Sequence, residues 1–348
     1  RPPRGVQPRG ARPGGLRSTM MALDDVLDTA ARWLTRACEP YSALEPRFWT
    51  IPPAYHIQEL CFCLLVAAAA AALSRSCSHS RSTPPRLPTG RTALETDMGA
   101  LLLLWLPVNV CNKLAVQGMP PSRALVEMCL PCHVYTGLCA FCFLSTCGRA
   151  RIDGYSLMLH CAWMPLLAVA FPDLSAARAI AAPALRMGSL ATFWAHHLTL
   201  LAAPLLAHQQ ASARLRFAPP PPPPRAAGLL QYLAFIYGFV GVLLCGLALA
   251  TGRNLNYSLW PPPALPDGAY PYLGGARYRL AIGTVLAFVL GPLVRHVVVP
   301  LAAGLLHRLL GWLLGRLLGR APVRGDANMT AQAARPVTRS RSGMAKAD

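Results

Sequence analysis

The sequence predicts an all-α membrane protein, a polytopic bundle of about seven transmembrane helices followed by a C-terminal amphipathic helix. The 348 residues are 54% apolar and only 14% charged, whereas soluble domains average roughly 45–50% apolar and about 25% charged residues. The mean hydropathy is +0.37. The apolar residues also fall in runs of about 20, which is the length that an α-helix needs to cross a bilayer.

Seven such runs follow one another along the chain. Their length favours helices, because the strands of membrane barrels are about ten residues long and alternate in polarity. Both structures can span a membrane only because they pair their backbone polar groups internally. The predicted spans cover approximately residues 57–74, 98–117, 123–147, 154–171, 188–207, 227–251 and 279–304.

The segments outside 57–304 are predicted not to span. We expect residues 1–56 to be an N-terminal leader and a non-spanning segment, with Met20 or Met21 as the start and no signal peptide. Residues 305–320 carry leucines at helical spacing and arginines on another face, which predicts an amphipathic basic helix. That helix would either lie in the headgroup layer or extend the last span. We expect residues 321–348 to be disordered.

The formal net charge of +19 raises the question of nucleic-acid binding. The basic residues lie mainly in the termini and in short loops between apolar runs, so we expect a membrane and no nucleic acid as partner. By the positive-inside rule the C-terminus is cytosolic and the segment 21–56 lies across the membrane. Arg253, Arg277 and Arg279 are exceptions to the rule, because they would lie on the same side of the membrane as the segment 21–56. We expect a multi-pass integral protein of an endomembrane such as the endoplasmic reticulum.

Ionisable and strongly polar side chains inside spans are costly, and each is a candidate for function. The second and third runs contain several, and three histidines follow in the fourth and fifth runs. Further polar residues flank the last two runs. The candidates are Asn109, Asn112, Lys113, Glu127, Cys132, His133, His160, His196, His197, Asn254, Asn256 and Arg279.

The segment Cys129-Leu130-Pro131-Cys132-His133 in the third run has three interpretations. As Cys-x-x-Cys-His it matches a c-type haem attachment site, but such sites face water and this segment lies within a span. As Cys-x-x-Cys it matches a redox dithiol, but the βαβ context is absent. The third interpretation is a single nucleophile, Cys132, in a helix that Pro131 kinks and opens.

A base for such a nucleophile would come from another span. His133 follows Cys132 directly and therefore lies about 100° around the helix. The remaining candidates are His160, His196 and His197, and of the last two only one is expected to face the bundle centre. A histidine that takes the thiol proton would offset the cost of a buried thiolate. No pair of Cys-x-x-Cys or His-x-x-x-His motifs supports zinc, and we predict neither a metal nor a cofactor.

At these residues the sequence resembles the transmembrane protein 164 family. The resemblance runs from about Leu101 to Leu293 and is anchored by Pro131-Cys132-His133. The chain departs from the family pattern at Leu130, where asparagine is common, and at Gly238, where a histidine is expected. The other matching motifs are Leu157-Met158-Leu159-His160, Phe171-Pro172, His197 with Pro204, Asn254-Leu255-Asn256 and Tyr278-Arg279.

The resemblance implies a cysteine-dependent phospholipid acyltransferase with Cys132 as nucleophile and His197 as the essential histidine. The implied reaction moves a polyunsaturated acyl chain from a phospholipid to a lysophospholipid, an ether-linked one, without coenzyme A. His133, Asn109, Asn112 and Asn256 are candidate oxyanion donors. His160 would orient a headgroup or be structural, and Lys113, Arg253 and Arg279 would meet phosphate or anchor the interface.

Two alternative functions remain open from the sequence. A transporter or channel would use Asn109, Asn112, Lys113 and His197 to line a polar pathway, although no inverted repeat or pair of broken helices is visible. A lipid-binding scaffold would need no chemistry at Cys132. Covalent acylation of Cys132 would separate the enzyme from both.

Overall fold

The protein is helical throughout the part of the chain that the structure describes. The computed structural model describes residues 14–45, 47–79, 91–146, 148–215, 225–255, 259 and 278–317. Of these residues 86% are helical, and none of them lies in a strand. Six helices are long and apolar enough to cross a membrane, and a bent helix pair brings the number to seven. The predicted all-α polytopic fold is confirmed.

We number the seven segments in chain order as spans 1 to 7, and each overlaps a predicted span. Span 3 is the bent pair. The segments are Pro53–Cys77, Ala93–Val116, Pro121–Glu127 with Pro131–Leu144, Asp153–Arg178, Pro183–Gln210, Ala226–Thr251 and Tyr278–Leu314.

The helices carry their own labels because several spans consist of more than one helix. π-Helical turns interrupt spans 2, 6 and 7 at Asn112–Val116, Ile236–Leu244, Leu286–Leu290 and Val294–Val298. The α-helices are α1 (Gly14–Ala37), α2 (Glu39–Ser42), α3 (Pro53–His79), α4 (Ala93–Cys111), α5 (Pro121–Glu127), α6 (Pro131–Leu144), α7 (Gly148–Cys161), α8 (Trp163–Ala170), α9 (Ser175–Arg178), α10 (Pro183–Leu215), α11 (Arg225–Phe235), α12 (Cys245–Thr251), α13 (Tyr278–Val285), α14 (Gly291–Leu293) and α15 (Val299–Leu317).

Span 3 differs from the continuous, kinked helix that the sequence predicts over 123–147. Its two helices, α5 and α6, meet at a bend of 65° across residues 128–130. Pro131 occupies the first turn of α6 and Leu130 precedes it in an extended conformation. Proline is favoured there because its missing N–H would be unpaired anyway, and it biases the residue before it toward extended backbone. Pro131 therefore starts a new helix instead of kinking an old one.

The start of span 2 is fixed by a single carboxylate. Thr92 and Glu95 form a capping box, in which Glu95 Oε2 accepts from the Thr92 N–H at 2.9 Å and Thr92 Oγ1 accepts from the Glu95 N–H at 3.2 Å. The same carboxylate forms a buried ion pair with Arg151 and accepts from the Tyr155 hydroxyl at 3.2 Å. Glu95 thus holds the N-terminus of α4 to α7, with its charge compensated inside the protein.

The N-terminal segment packs against the end of span 6. Cys38 and Phe48 are buried in one cluster with Leu249, which lies in α12, and Leu255, which follows it. The Tyr41 hydroxyl donates to the Ala250 carbonyl at 3.1 Å. The sequence predicts only a non-spanning segment here, whereas residues 14–37 form a helix of their own.

The main core lies where spans 4, 6 and 7 meet around one tyrosine. Tyr232 is fully buried, and its hydroxyl donates to the Leu286 carbonyl at 2.6 Å. The same oxygen accepts from Trp163 Nε1 at 2.8 Å. Gly291 lies directly against this tyrosine, and a Cβ added there would come within 2.5 Å of Tyr232 Cζ. The close approach of the two helices therefore requires glycine at position 291.

A second unit begins at Leu301, and its described residues are 301–317. These residues continue the helix α15 to Leu317. Within it the Arg316 guanidinium lies 4.6 Å above the Trp312 ring, a cation–π contact typical of an amphipathic surface. Of the predicted amphipathic helix 305–320, residues 318–320 lie outside the described part.

We predict that Gly291→Ala destabilises the protein and that Gly283→Ala, in the same span, does not. The added methyl at 291 meets a tyrosine whose hydroxyl is held by two hydrogen bonds, so overpacking should cost about 1–3 kcal/mol. A Cβ at Gly283 meets nothing within 4 Å. Thermal unfolding of both variants in the same detergent measures the difference, and equal Tm values would contradict this account of the core.

Candidate active site

Cys132 lies in the first turn of α6, immediately after the break in span 3. α6 is 14 residues long, and its first turn is Pro131-Cys132-His133-Val134. Cys132 is half-buried. The first N–H groups of a helix and the positive end of its dipole stabilise an anion. In α6, Pro131 has no N–H, and the N–H groups of His133 and Val134 donate to the Leu130 carbonyl at 3.0 and 3.1 Å, so the Cys132 N–H and the dipole are what this turn offers the sulfur. The break therefore gives the Cys132 sulfur a more favourable setting for a thiolate than the middle of a continuous helix would.

Three histidines from spans 3 and 5 form a cluster beside this turn. His133, His196 and His197 are 6%, 1% and 4% exposed. The His133 ring stacks on the His196 ring at a centroid distance of 5.5 Å, and the His196 and His197 rings are 5.0 Å apart. The expectation that only one of His196 and His197 faces inward is wrong. Both are buried, because His196 points toward α6 while His197 turns back along its own helix.

Thr136 connects the Cys132 backbone to this cluster. The Thr136 hydroxyl donates to the Cys132 carbonyl at 2.8 Å, and Thr136 Oγ1 lies 2.8 Å from His196 Nε2. Because the single hydroxyl proton is used on the carbonyl, His196 Nε2 carries the hydrogen in the second contact. His196 is thus a donor to Thr136, and its Nδ1 atom holds a lone pair.

His197 presents the opposite nitrogen. Its Nδ1 atom is 2.8 Å from the Phe193 carbonyl, which can only accept, so Nδ1 carries the hydrogen. Nε2 then holds the lone pair. Within the described part of the chain, His133 Nδ1, His196 Nδ1 and His197 Nε2 are buried and have no hydrogen-bond partner. Buried polar atoms are almost always paired, so three unpaired ring nitrogens in one cluster indicate a site that binds or reacts.

Lys113 brings a positive charge to the same region. It lies in the π-helical turn at the end of span 2 and is 9% exposed. Its Nζ donates at 2.9 Å to Oε2 of Glu127, the last residue of α5, which precedes the break. Lys113 interacts electrostatically with Cys132, His133 and His196. The cation therefore belongs both to the ion pair that supports α5 and to the surroundings of the cysteine.

An apolar groove approaches the histidines from between spans 2 and 5. Its volume is about 330 Å³. Trp105 lines the groove, and its ring centroid lies 5.6 Å from that of His196. Trp105 Nε1 donates to Thr199 Oγ1 at 3.2 Å. The lining residues are Leu101, Leu104, Trp105, Val108, Ala191, Thr192 and Ala195.

The predicted asparagines have separate structural roles. Asn109 is buried, and its side-chain amide donates to the Trp105 carbonyl at 2.7 Å. Asn112 is half-buried at the start of the π-helical turn that carries Lys113. Asn254 Oδ1 accepts from the Leu259 N–H at 2.7 Å, beyond the end of span 6. Asn256 lies outside the described residues.

His160 lies in a second polar cluster between spans 4 and 7. The His160 ring stacks on Tyr232 at 4.9 Å, and Arg295 Nη1 approaches His160 Nδ1 at 2.7 Å. Arg295 Nη1 also donates to Ser156 Oγ at 2.7 Å. Its contacts therefore associate His160 with Arg295 and not with the cluster around Cys132. Arg295 was missed from the sequence, although an arginine within an apolar run is itself a signal of function.

Arg279 belongs to a third polar cluster, between spans 1, 6 and 7. Its Nε atom donates to Glu59 Oε2 at 2.7 Å, and its Nη1 atom donates to Cys245 Sγ at 2.6 Å. Cys245 Sγ lies 3.9 Å from His56 Nδ1. Glu59 was also missed from the sequence. The signal for it was an acid within the first apolar run, because a charge is tolerated inside a span when it pairs.

Comparison with known proteins supports the resemblance found in the motifs. No protein-family model matches the chain, and no solved structure matches it significantly. A curated protein of Dictyostelium discoideum, named transmembrane protein 164 homolog, is 24% identical over 189 residues. The chain is similar to this protein. The match covers 54% of the chain and 62% of the relative's length. The predicted resemblance to the transmembrane protein 164 family is confirmed at this level of similarity.

We predict that Thr136→Val disrupts the contact between α6 and His196, whereas Thr136→Ser preserves it. Valine has nearly the same shape but leaves the buried His196 Nε2 donor without its partner, which costs about 1–3 kcal/mol. Thermal unfolding of the two variants in one detergent measures this difference. A Thr136→Val protein as stable as Thr136→Ser would show that the hydroxyl does not hold the two helices.

Proposed function

We propose that the protein is a membrane-embedded acyltransferase that uses Cys132 as its nucleophile. The donor is a phospholipid and the acceptor is a lysophospholipid, in line with the ether-lipid activity that the resemblance implies. The observation that carries the proposal is the arrangement around the first turn of α6. A half-buried thiol at a helix N-terminus lies next to a cluster of three histidines whose ring nitrogens are buried and unpaired. That combination suits nucleophilic catalysis in a dry site.

The first step of the proposed mechanism forms an acyl-enzyme. His197 Nε2, which holds a lone pair, takes the proton from Cys132 Sγ. The thiolate attacks the ester carbonyl of the donor, and the carbon–oxygen bond breaks after a tetrahedral intermediate. The leaving glycerol oxygen takes the proton from the histidine. The products of this step are an acyl-cysteine and a lysophospholipid.

The second step reverses the first with a different lipid. The hydroxyl of the incoming lysophospholipid gives its proton to His197 Nε2 and attacks the thioester carbonyl. The carbon–sulfur bond breaks, and Cys132 regains its proton. Transfer from thioester to oxygen ester is downhill, so no coenzyme A is needed. Scarcity of water in a site within the bilayer favours transfer over hydrolysis.

The other polar groups have supporting roles in this proposal. The backbone N–H of Cys132 and the Lys113 ammonium are the proposed stabilisers of the oxyanion, because both bring positive charge near the sulfur. His133 and His196 keep His197 in place and exclude water. The groove beside Trp105 is the proposed path of the acyl chain, because its lining is mostly apolar and includes Trp105, whose ring centroid lies 5.6 Å from that of His196.

A transporter remains the second candidate, and one observation favours it. Span 3 is broken at the level of buried polar residues, and discontinuous helices are typical of transporters. In the described part of the chain, however, only one span is bent in this way, whereas transporters usually repeat the feature in a second, symmetry-related half. A transporter would not retain an acyl chain on a cysteine, so covalent labelling discriminates between the two functions.

We predict a thioester on Cys132 when the full-length protein is incubated with an arachidonoyl phospholipid. Intact-mass analysis should show one acyl chain that hydroxylamine removes. Cys132→Ala should abolish the adduct, and Cys129→Ala, three residues earlier, should retain it. His197→Gln keeps the size and polarity of the side chain but cannot take a proton. It should slow acylation at least about 100-fold, within the range for loss of a general base.

The outcomes separate the proposed functions. An adduct that persists in Cys132→Ala would assign the nucleophile elsewhere, for example to Cys245, which lies near His56. Absence of any adduct, with lipid turnover equal in wild type and Cys132→Ala, would refute the cysteine mechanism. Protein-dependent flux of a solute across liposomes would then support the transporter.

A further inference from the structure

Three cations share one carboxylate at the break in span 3. Lys113 Nζ and Arg123 Nε donate to the two oxygens of Glu127, at 2.9 and 3.0 Å. Arg253, in the loop after span 6, interacts electrostatically with both Arg123 and Glu127. We call these four residues the basic cluster. Its cations outnumber its anion, although Lys113 and Glu127 expose only 11% and 14% of their side chains.

Packing explains why residues so distant in sequence meet here. Val126 precedes the break and Leu130 lies within it, and both pack against the buried cluster that contains Leu249 and Leu255. Between those two leucines the chain turns through Gly252, which has a φ of +66°. Such a left-handed conformation strongly favours glycine. The turn places Arg253 close enough to α5 to interact electrostatically with Arg123 and Glu127.

The charge balance of the basic cluster is unfavourable without a further anion. Both oxygens of Glu127 already accept from Lys113 and Arg123, so Arg253 lacks a carboxylate of its own within the cluster. Burial lowers the pKa of Arg253, and repulsion from Arg123 lowers it further. Partly buried cations that repel one another are retained when they bind an anion. Arginine is suited to phosphate because its planar fork can donate two parallel hydrogen bonds.

The position of the cluster indicates which anion. Lys113 and Arg253 lie close to the ends of spans 2 and 6, and Arg123 lies at the start of span 3. Ends of spans lie near the headgroup layer of a bilayer. Lys113 also interacts with Cys132, and Glu127 precedes Cys132 by only five residues. An anion in the cluster would therefore lie beside the sulfur and at headgroup depth.

We propose that Arg123 and Arg253 bind the phosphodiester of the donor phospholipid and so position its ester carbonyl at Cys132. In a glycerophospholipid only the glycerol carbons separate the phosphate from the ester, so binding one places the other. Lys113 neutralises Glu127 and also interacts electrostatically with Cys132, so it contributes both to the basic cluster and to the surroundings of the sulfur. The proposal rests on the proposed acyltransferase function for its purpose, but the binding site can be tested without catalysis.

The binding test uses the full-length Cys132→Ala protein, which cannot be acylated. Native mass spectrometry measures retention of a phosphatidylcholine and of a diacylglycerol with the same two acyl chains. Arg123→Gln and Arg253→Gln should each weaken retention of the phosphatidylcholine about tenfold, which corresponds to about 1.4 kcal/mol. Diacylglycerol should be retained equally by all variants. Arg123→Lys, which keeps the charge but not the fork, should give an intermediate loss.

Arg186 provides a matched control outside the cluster. Its guanidinium is held by the carbonyls of Ile180 and Ala181, so Arg186→Gln should leave the retention of both lipids unchanged. Equal loss of phosphatidylcholine and diacylglycerol in Arg123→Gln would indicate general damage and overturn the proposal. Unchanged phosphatidylcholine retention in both cluster variants would overturn it as well.

Two further arms complete the test. Glycerophosphocholine or inorganic phosphate that binds as tightly as the phosphatidylcholine, in an Arg123-dependent way, would assign the site to a soluble phosphate and contradict a lipid site. In the protein with Cys132 intact, Arg123→Gln should raise the phospholipid concentration for half-maximal acylation about tenfold, with the maximal rate within about twofold. Absence of all acylation would refute the proposed function but leave the binding result valid.

Discussion

The break in span 3 is the feature on which the rest of the site depends. A bilayer offers no partners for backbone polar groups, so an interrupted helix is tolerated only where protein covers it. Here the Lys113–Glu127 ion pair joins span 2 to the end of α5 at the interruption, and Leu130 within the interruption packs against a buried cluster that includes residues of span 6. The interruption in turn creates a helix N-terminus inside the protein, with Cys132 in its first turn. A continuous span would leave the same cysteine without that local positive potential.

The histidine cluster complements this turn. His196 is tied to α6 through Thr136 and His197 is tied to its own helix through Phe193, so the two rings differ in which nitrogen is free. His196 is thus a fixed donor and His197 an available base, and their ring centroids are 5.0 Å apart. The basic cluster lies at the same break, where Lys113 interacts electrostatically with Cys132, His133 and His196. A phospholipid bound there would present its ester between cations and histidines, which is the arrangement that acyl transfer needs.

The sequence predicts the fold class and the candidate residues better than their arrangement. Hydropathy identifies the spans because span length is set by the bilayer, and ionisable residues within them stand out because each is costly. Pro131 is ambiguous, since proline both kinks a helix and starts one, and only packing against span 6 decides between them. Thr136 gives no distinctive signal in the sequence. Arg295 is signalled only by its charge within an apolar run. The pairing of Arg279 with Glu59 and of His160 with Arg295 depends on which spans are neighbours, and a single sequence does not specify this.

The most direct test of the account is a single-turnover transfer of the acyl chain. Protein acylated on Cys132 is freed of donor, and an ether-linked lysophospholipid is added in the absence of coenzyme A. The account predicts that the adduct disappears with the acceptor present and that the acyl chain is recovered in stoichiometric amount as an ester of that acceptor. An adduct that persists, or that is released only as free fatty acid at a rate independent of acceptor, would contradict acyl transfer as the function of Cys132.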